Sequence, residues 1–225
     1  MRRIPEPELM ESEVQAQAYA QADFAEPHQR FIEILQSSLA TLPQEGIALD
    51  LGCGAADISI RFAEAHPGWQ VEAWDGSAAM LRYGHQALEQ KKLQHQVTLR
   101  QVYLPSPDYS SEIPQLNYPL IFSNSLLHHL ADPAVLWTEI KKQAAPQGFV
   151  FVMDLLRPED QVQAAALTDR YASEEPSILQ RDFFNSLLAA YQIDEVQAQL
   201  QAAQLSDLAA QIISDRHFIV WGQLR

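Results

Sequence analysis

Between residues 46 and 154, short apolar runs alternate with amphipathic stretches, and this alternation limits the fold more than any other feature of the chain. IALDLG precedes a helical stretch to about Ala65, and VEAWD precedes one from Ser77 to about Lys91. QVTLRQV, LIFSNS, a helix with Asp132 and Pro133 at its start, and GFVFVMD complete the series. Strand–helix–strand units of this kind close through right-handed crossovers, so the strands lie parallel and helices cover both faces. Ligands of such sheets bind beyond the carboxyl ends of the strands, where strand order reverses, and the turn after the first strand marks that place.

Here that turn is LDLGCG, Leu49 to Gly54. Glycine at 52 and 54 leaves out the Cβ that would obstruct both a tight turn and the approach of a nucleotide, and Asp50 stands beside them as an acceptor. A dinucleotide fingerprint would place glycine or alanine at 57, where close packing and a pyrophosphate need it, but this chain has Asp57. Asp75 ends the second strand, 21 residues after Gly54, where a carboxylate can accept both hydroxyls of a ribose. A nucleoside without a pyrophosphate fits the two motifs together.

The flanks are helical. Residues 8–42 divide into two pieces, the second with Pro27 in its first turn and Phe31, Ile32, Leu35, Leu39 and Leu42 on one face. The first piece carries Tyr19, Asp23 and Phe24 in a weakly apolar helix and reads as a lid. Past Asp154, helical character runs to about Tyr191, Asp194 is the expected N-cap of the next helix, and LAAQIIS, a turn at Asp215-Arg216 and HFIVWGQL read as a closing hairpin.

A chain of 225 residues suits one domain with added helices. Fifteen Lys and Arg against 29 Asp and Glu give −14, a balance that repels phosphate backbones and argues against nucleic acid as partner. The single cysteine, Cys53, excludes an internal disulfide and a cysteine-built zinc site and points to a reducing compartment, the cytoplasm by default. It reads as a small packing residue rather than a nucleophile. No run of 18 apolar residues occurs, and the amino-terminal stretch has prolines and acids where a signal peptide needs an apolar run, so neither a membrane partner nor export is expected.

On ALDLGCGAAD (48–57), VEAWDGSAAML (71–81), FSNSLLHHLADP (122–133) and PQGFVFVMD (146–154), the chain resembles the class I S-adenosylmethionine-dependent methyltransferases, especially the small-molecule branch that includes the ubiquinone and menaquinone C-methyltransferases. The resemblance implies an α/β, doubly wound, mostly parallel seven-stranded Rossmann-like sheet whose last strand is antiparallel. It implies one domain: an N-terminal helical cap at 1–45, a cofactor-binding core at 46–154, a helical cap at 155–204 and a closing hairpin at 205–225. Asp50, Gly52 and Gly54 would surround the methionine part of the cofactor, Asp75 would hold the ribose, and Gly76 and Ser77 would also bind the cofactor. The segment from Asn124 to His129 would run under the sulfonium. Val102 and Tyr103 stand where family members often carry an acid for the adenine amino group, and Pro119 replaces the usual aspartate before the fourth strand.

Transfer from an activated sulfonium demands in-line placement of the acceptor, plus a base where the acceptor carries a proton. His128 and His129 are the first candidates for that base, Tyr19 and Asp23 the second. His28, Asp154, Arg157 and Arg216 are expected near the acceptor, with Arg157 or Arg216 for an anionic group. Being adjacent, His128 and His129 are not expected to face one pocket together. With no H-x-x-x-H or cysteine partner, no metal is expected. The expected function is methyl transfer to a small molecule at carbon, oxygen, nitrogen or sulfur. An RNA methyltransferase and a non-catalytic S-adenosylmethionine-binding module stand as alternatives, and a homodimer is the candidate assembly.

Overall fold

The computed structural model describes residues 1–6, 12–22, 24–105 and 117–225. Seven strands form one sheet: β1 (Gly46–Leu51), β2 (Trp69–Asp75), β3 (Val97–Gln101), β4 (Tyr118–Asn124), β5 (Ala144–Leu155), β6 (Ala209–Ile212) and β7 (His217–Gln223). Their order is β3-β2-β1-β4-β5-β7-β6. All neighbours from β3 to β5 pair in parallel, and β7 runs antiparallel to both β5 and β6, as the closing hairpin requires. Strand order reverses between β1 and β4, so the crevice of an open α/β sheet lies at their carboxyl ends.

Eight α-helices are described: α1 (Glu13–Gln21), α2 (Ala25–Ser38), α3 (Asp57–Ala65), α4 (Ala78–Lys91), α5 (Ala134–Gln143), α6 (Gln161–Ala172), α7 (Ser177–Ala189) and α8 (Ile193–Ala202). One face of the sheet buries Phe31 and Leu35 of α2, Phe62 of α3 and Leu88 of α4 against Trp69, Phe122 and Phe151. The ring of Phe31 meets Phe151 edge-on at 5.0 Å. The other face buries Trp137 and Ile140 of α5 with Val196 and Leu200 of α8 against Ile121, Val150, Val152 and Val220. Both faces of the central strands are therefore apolar, which is why β1, β4 and β5 read as continuous hydrophobic runs rather than alternating ones.

Two of these covering helices, α2 and α8, lie within the stretches expected as cap, 1–45 and 155–204. The helix at 25–38 belongs to the core layer, because its apolar stripe is needed to cover β4 and β5. At the other end, α8 covers the sheet. What lies over the carboxyl ends of the strands is α1 with the first turn of α2, and the pair α6 and α7, which have their own small core of Leu155, Ala164, Leu167, Leu187 and Leu188. The N-cap of α8 is Gln192 rather than Asp194: the Gln192 N–H donates to the Glu195 carboxylate at 2.7 Å. Helix starts elsewhere follow the sequence. The Ser77 hydroxyl accepts from Met80 N–H at 3.2 Å, and the Asp160 carboxylate from Gln163 N–H at 2.8 Å. No helix among the described residues is long and apolar enough to cross a membrane.

Candidate active site

The turn after β1 takes a form that glycine permits. Gly52 and Gly54 have φ of +77° and +54°, and a Cβ on Gly52 would come within 2.9 Å of the Leu126 side chain. The N–H groups of Gly52 and Cys53 both donate to the Trp74 carbonyl, at 2.8 and 3.0 Å, which ties the turn to the end of β2. Cys53 is buried, and burial pushes its thiol well above the ordinary range, as suits a packing residue.

Asp75 connects the two motifs. Its Oδ2 accepts from Gly54 N–H at 2.8 Å and its Oδ1 from Ser77 N–H at 2.7 Å, so both oxygens are fixed in place with further lone pairs available. Burial raises its pKa, against the pull of those two bonds. Beyond it, Val102 N–H donates to the Asp75 carbonyl at 2.9 Å, and the half-exposed Tyr103 accepts from the Gln101 amide at 2.9 Å through its hydroxyl. At the end of β4, Asn124 Oδ1 is buried with no partner among the described residues, an acceptor that a ligand N–H can satisfy.

A second polar cluster stands after β4. The 3₁₀ turn Leu127–His129 carries two histidines whose rings lie 4.1 Å apart between centroids. His128 is buried and its Nδ1 bonds Asp154 Oδ1 at 2.5 Å. Asp154 is itself anchored by the N–H groups of Leu127 and Leu155, each at 2.7 Å. Burial disfavours charge on both, but their mutual attraction outweighs it, raising the pKa of His128 and lowering that of Asp154. Glu6 faces the pair, with Oε1 3.6 Å from His128 Nε2 and 3.2 Å from His129 Nδ1. The strap that delivers it is held by Arg3, which donates to the carbonyls of Ala189, His128 and Leu130, and by Ile4 N–H to the Leu188 carbonyl.

One cavity of about 640 Å³ joins these clusters. Its wall includes Gly52, Gly54, Asp75, Gly76, Ser77, Val102, Tyr103 and Asn124 from the sheet side. His128, His129, Leu130 and Met153 line it, as do Tyr19, Phe24 and His28 from the amino-terminal helices. Tyr171, Glu175, Leu179, Asp182, Phe183 and Ser186 come from the cap, and Arg216 and His217 from the hairpin turn. A largely apolar cavity of this size with a few convergent polar groups fits a cofactor together with a small acceptor.

Residues 49–150 match the family model described as a methyltransferase domain. The chain is similar to methyltransferases over this segment, a little under half of its length. It is 31% identical over 116 residues to the trans-aconitate 2-methyltransferase of Azoarcus sp. (strain BH72), covering 51% of this chain and 42% of that protein. Against the malonyl-[acyl-carrier protein] O-methyltransferase of Hahella chejuensis (strain KCTC 2396) it is 25% identical over 122 residues, 53% of this chain and 41% of that one. The match thus spans less than half the length of these curated relatives. The fold is also that of a SAM-dependent methyltransferase from Aquifex aeolicus, with a TM-score of 0.63 over 95% of this chain and 99% of that one at 17% identity.

Several expected site residues have other roles in this fold. Asp50 lies on β1 beneath the glycine turn and does not line the cavity; it accepts from the Ser59 hydroxyl at 2.5 Å and so ties β1 to α3. Arg157 is buried away from the cavity, donating to the Ala190 carbonyl at 3.1 Å and the Glu195 carboxylate at 2.8 Å, so it joins β5 to α8 rather than meeting an acceptor. Asp154 also stays out of the cavity, since both of its oxygens are engaged in holding His128 and its turn. His28 lines the cavity, but its Nδ1 pairs with Asp57 at 2.6 Å, joining α2 to α3. Tyr19 is pushed up to about 12 by burial and then by Asp57 and Asp75, so it stays protonated and is no base at neutral pH. Asp23 lies outside the described residues. Contrary to expectation, His128 and His129 both line the cavity, because they sit on a single short 3₁₀ turn at a strand end and their rings lie side by side. Glu6 and the cap residues Asp182 and Ser186 had no motif to announce them.

Asp50 supports a test of its own. Burial, opposed by the Ser59 bond and reinforced by Asp75, pushes its carboxyl up to about 7. Unfolded, an aspartate titrates at about 3.9. Between those values the native state holds a proton that the unfolded state has lost, so stability falls as pH rises through the window. Asp50→Asn should remove that loss, gaining on the order of a few kcal/mol over the wild type at pH 8 relative to pH 4. Melting curves at both pH values check it; parallel pH dependence in the two proteins would mean Asp50 ionises normally.

Proposed function

We propose that this protein transfers the methyl group of S-adenosylmethionine to a small acceptor with one acidic group. The observation that carries this reading is a shared cavity with the glycine turn and Asp75 at one end and His128, His129 and Arg216 at the other. S-adenosylmethionine would lie with its ribose on Asp75 and its methionine part over Gly52 and Gly54. Asn124 Oδ1 would accept from a cofactor N–H. The acceptor's apolar body would pack on Leu130, Leu179 and Phe183, and its acidic group would turn toward the histidines.

In the transfer, a lone pair on the acceptor forms the new bond to carbon while the S–CH₃ bond breaks. Its electrons stay on sulfur, giving neutral S-adenosylhomocysteine. A proton on the acceptor must leave first or in step. Because Asp154 occupies Nδ1 of His128, the ring offers Nε2 to that proton. An already ionised carboxylate needs no base, and the two curated relatives are named for trans-aconitate and for the malonyl group on a carrier protein, both carboxylates. Glu26, Asp75, Glu175 and Asp182 against Arg216 line the cavity with acids, which suits a small acceptor over a polyanion such as RNA.

The test is turnover with S-adenosylmethionine and a panel of small mono- and dicarboxylic acids, phenols and enolisable ketones, read as S-adenosylhomocysteine formed. Methylation of members of this panel is the expected result. Tight cofactor binding with no product from any acceptor class would instead favour a binding module.

A further inference from the structure

From the sequence alone, adjacent histidines with no further ligand at motif spacing gave no reason to expect a metal. The fold supplies that ligand from 122 residues away. Glu6 Oε1 stands 3.6 Å from Nε2 of His128 and 3.2 Å from Nδ1 of His129, and one ligand atom from each of the three lies within 4.8 Å of the others. In a tetrahedral site with bonds of about 2.0–2.1 Å, neighbouring ligand atoms stand about 3.3 Å apart. The two distances to Glu6 fall on either side of that value. Two imidazole nitrogens and one carboxylate oxygen are also the donor set with which three protein ligands leave a zinc position open.

An independent observation concerns the far side of His128. Its Nδ1 is held at 2.5 Å by Asp154, which is in turn fixed by two backbone N–H groups. A carboxylate on the remaining ring nitrogen is the outer support that fixes tautomer and orientation in metal-ligating histidines. Glu6 is supported likewise: the Ser186 hydroxyl donates to its Oε1 at 2.9 Å, and the preceding strap is bonded to α7 through Ile4 and Arg3. Two of the three, His128 and His129, line the cavity, as does Ser186, the partner of Glu6, so those two face the space assigned to the acceptor.

We propose that Glu6, His128 and His129 bind a divalent transition cation, Zn²⁺ by donor chemistry, with its open coordination position toward the cavity. The binding depends only on the cluster; the cation's role rests on the methyl-transfer reading. Bound there, it takes an acceptor oxygen as a ligand and lowers that oxygen's pKa, so the proton leaves to solvent and His128 Nε2 serves as ligand rather than base. The acceptor class narrows accordingly to small molecules that present a carboxylate, enol or phenol oxygen.

The test uses the full chain without an affinity tag, stripped with a chelator, and titrated separately with ZnCl₂ and with S-adenosylhomocysteine by calorimetry. CoCl₂ provides a spectroscopic probe of coordination. One equivalent of Zn²⁺ per chain and a visible Co²⁺ band of tetrahedral intensity are expected. Glu6→Gln and His129→Ala should each weaken Zn²⁺ by about tenfold or more, with S-adenosylhomocysteine affinity retained as evidence that the fold is intact. Absence of stoichiometric Zn²⁺ binding, or wild-type Zn²⁺ affinity in both variants, would overturn the site. Zn²⁺ binding without S-adenosylhomocysteine binding would support the site and overturn the methyl-transfer reading.

Discussion

His128→Asn is expected to lower kcat by about 10²- to 10⁴-fold, the range for losing a positioned proton-handling group, while S-adenosylhomocysteine binds almost as in the wild type. Asparagine is the informative replacement because its amide nitrogen falls near the place of Nδ1. It can keep the bond to Asp154, which His128 holds at 2.5 Å, and it lacks the Nε2 that faces Glu6 and the cavity. A residue with no donor would leave Asp154 charged, buried and unpaired, a defect worth about 3–5 kcal/mol that would confuse chemistry with folding. Single-turnover measurements with saturating cofactor separate the chemical step from binding. Full activity in His128→Asn would remove His128 from the reaction, whether as base or as metal ligand.

Asp75→Ala carries the second large effect. Cofactor affinity should fall by about 10- to 100-fold, equivalent to about 1–3 kcal/mol for a hydrogen-bonded ribose left unpaired. The carboxylate also organises the turn itself, through Gly54 N–H and Ser77 N–H, so the loss should be accompanied by a lower Tm. Asp75→Asn separates the two roles, since an amide oxygen can still accept from one of those N–H groups but offers a donor where the second acceptor stood. Calorimetry with S-adenosylhomocysteine reads both variants, and wild-type affinity in each would take the ribose away from Asp75.

The glycine turn and Asp75 were legible together because their signals are local. A glycine pair that needs positive φ, a carboxylate at the end of the next strand and the alternation of apolar runs all act within about thirty residues, and the parallel crossover core follows from them, whereas the seven-stranded sheet with its antiparallel last strand was what the family resemblance implied. The same holds for Ser77, which caps α4. Local signals were weaker where neighbouring residues compete to cap the same helix. Gln192 rather than Asp194 begins α8, because Glu195 can reach back to its N–H.

Long-range pairing escaped the sequence for a physical reason. Asp154 and Arg157 sit at a strand end near the site, where a charged side chain suggests a ligand, yet each found a buried partner first: His128 with the Leu127 turn for Asp154, Glu195 and Ala190 for Arg157. A charge that is buried must be paired, and no periodicity records which partner folding brings. The helix at 25–38 looked like cap from its place before β1. Only the bare face of β4 and β5 shows that Phe31 and Leu35 are needed in the core.

By itself, then, the sequence determined the layered parallel sheet and the glycine turn with a carboxylate beside it, since both depend on backbone freedom and spacing within neighbouring elements. The tertiary structure alone decided the other end of the cavity. It turned two adjacent histidines toward one cavity through a 3₁₀ turn, set Asp154 behind one of them, and brought Glu6 across from the far end of the chain. Those contacts are made by burial and by a strap tied down through Arg3, and neither leaves a pattern in consecutive residues.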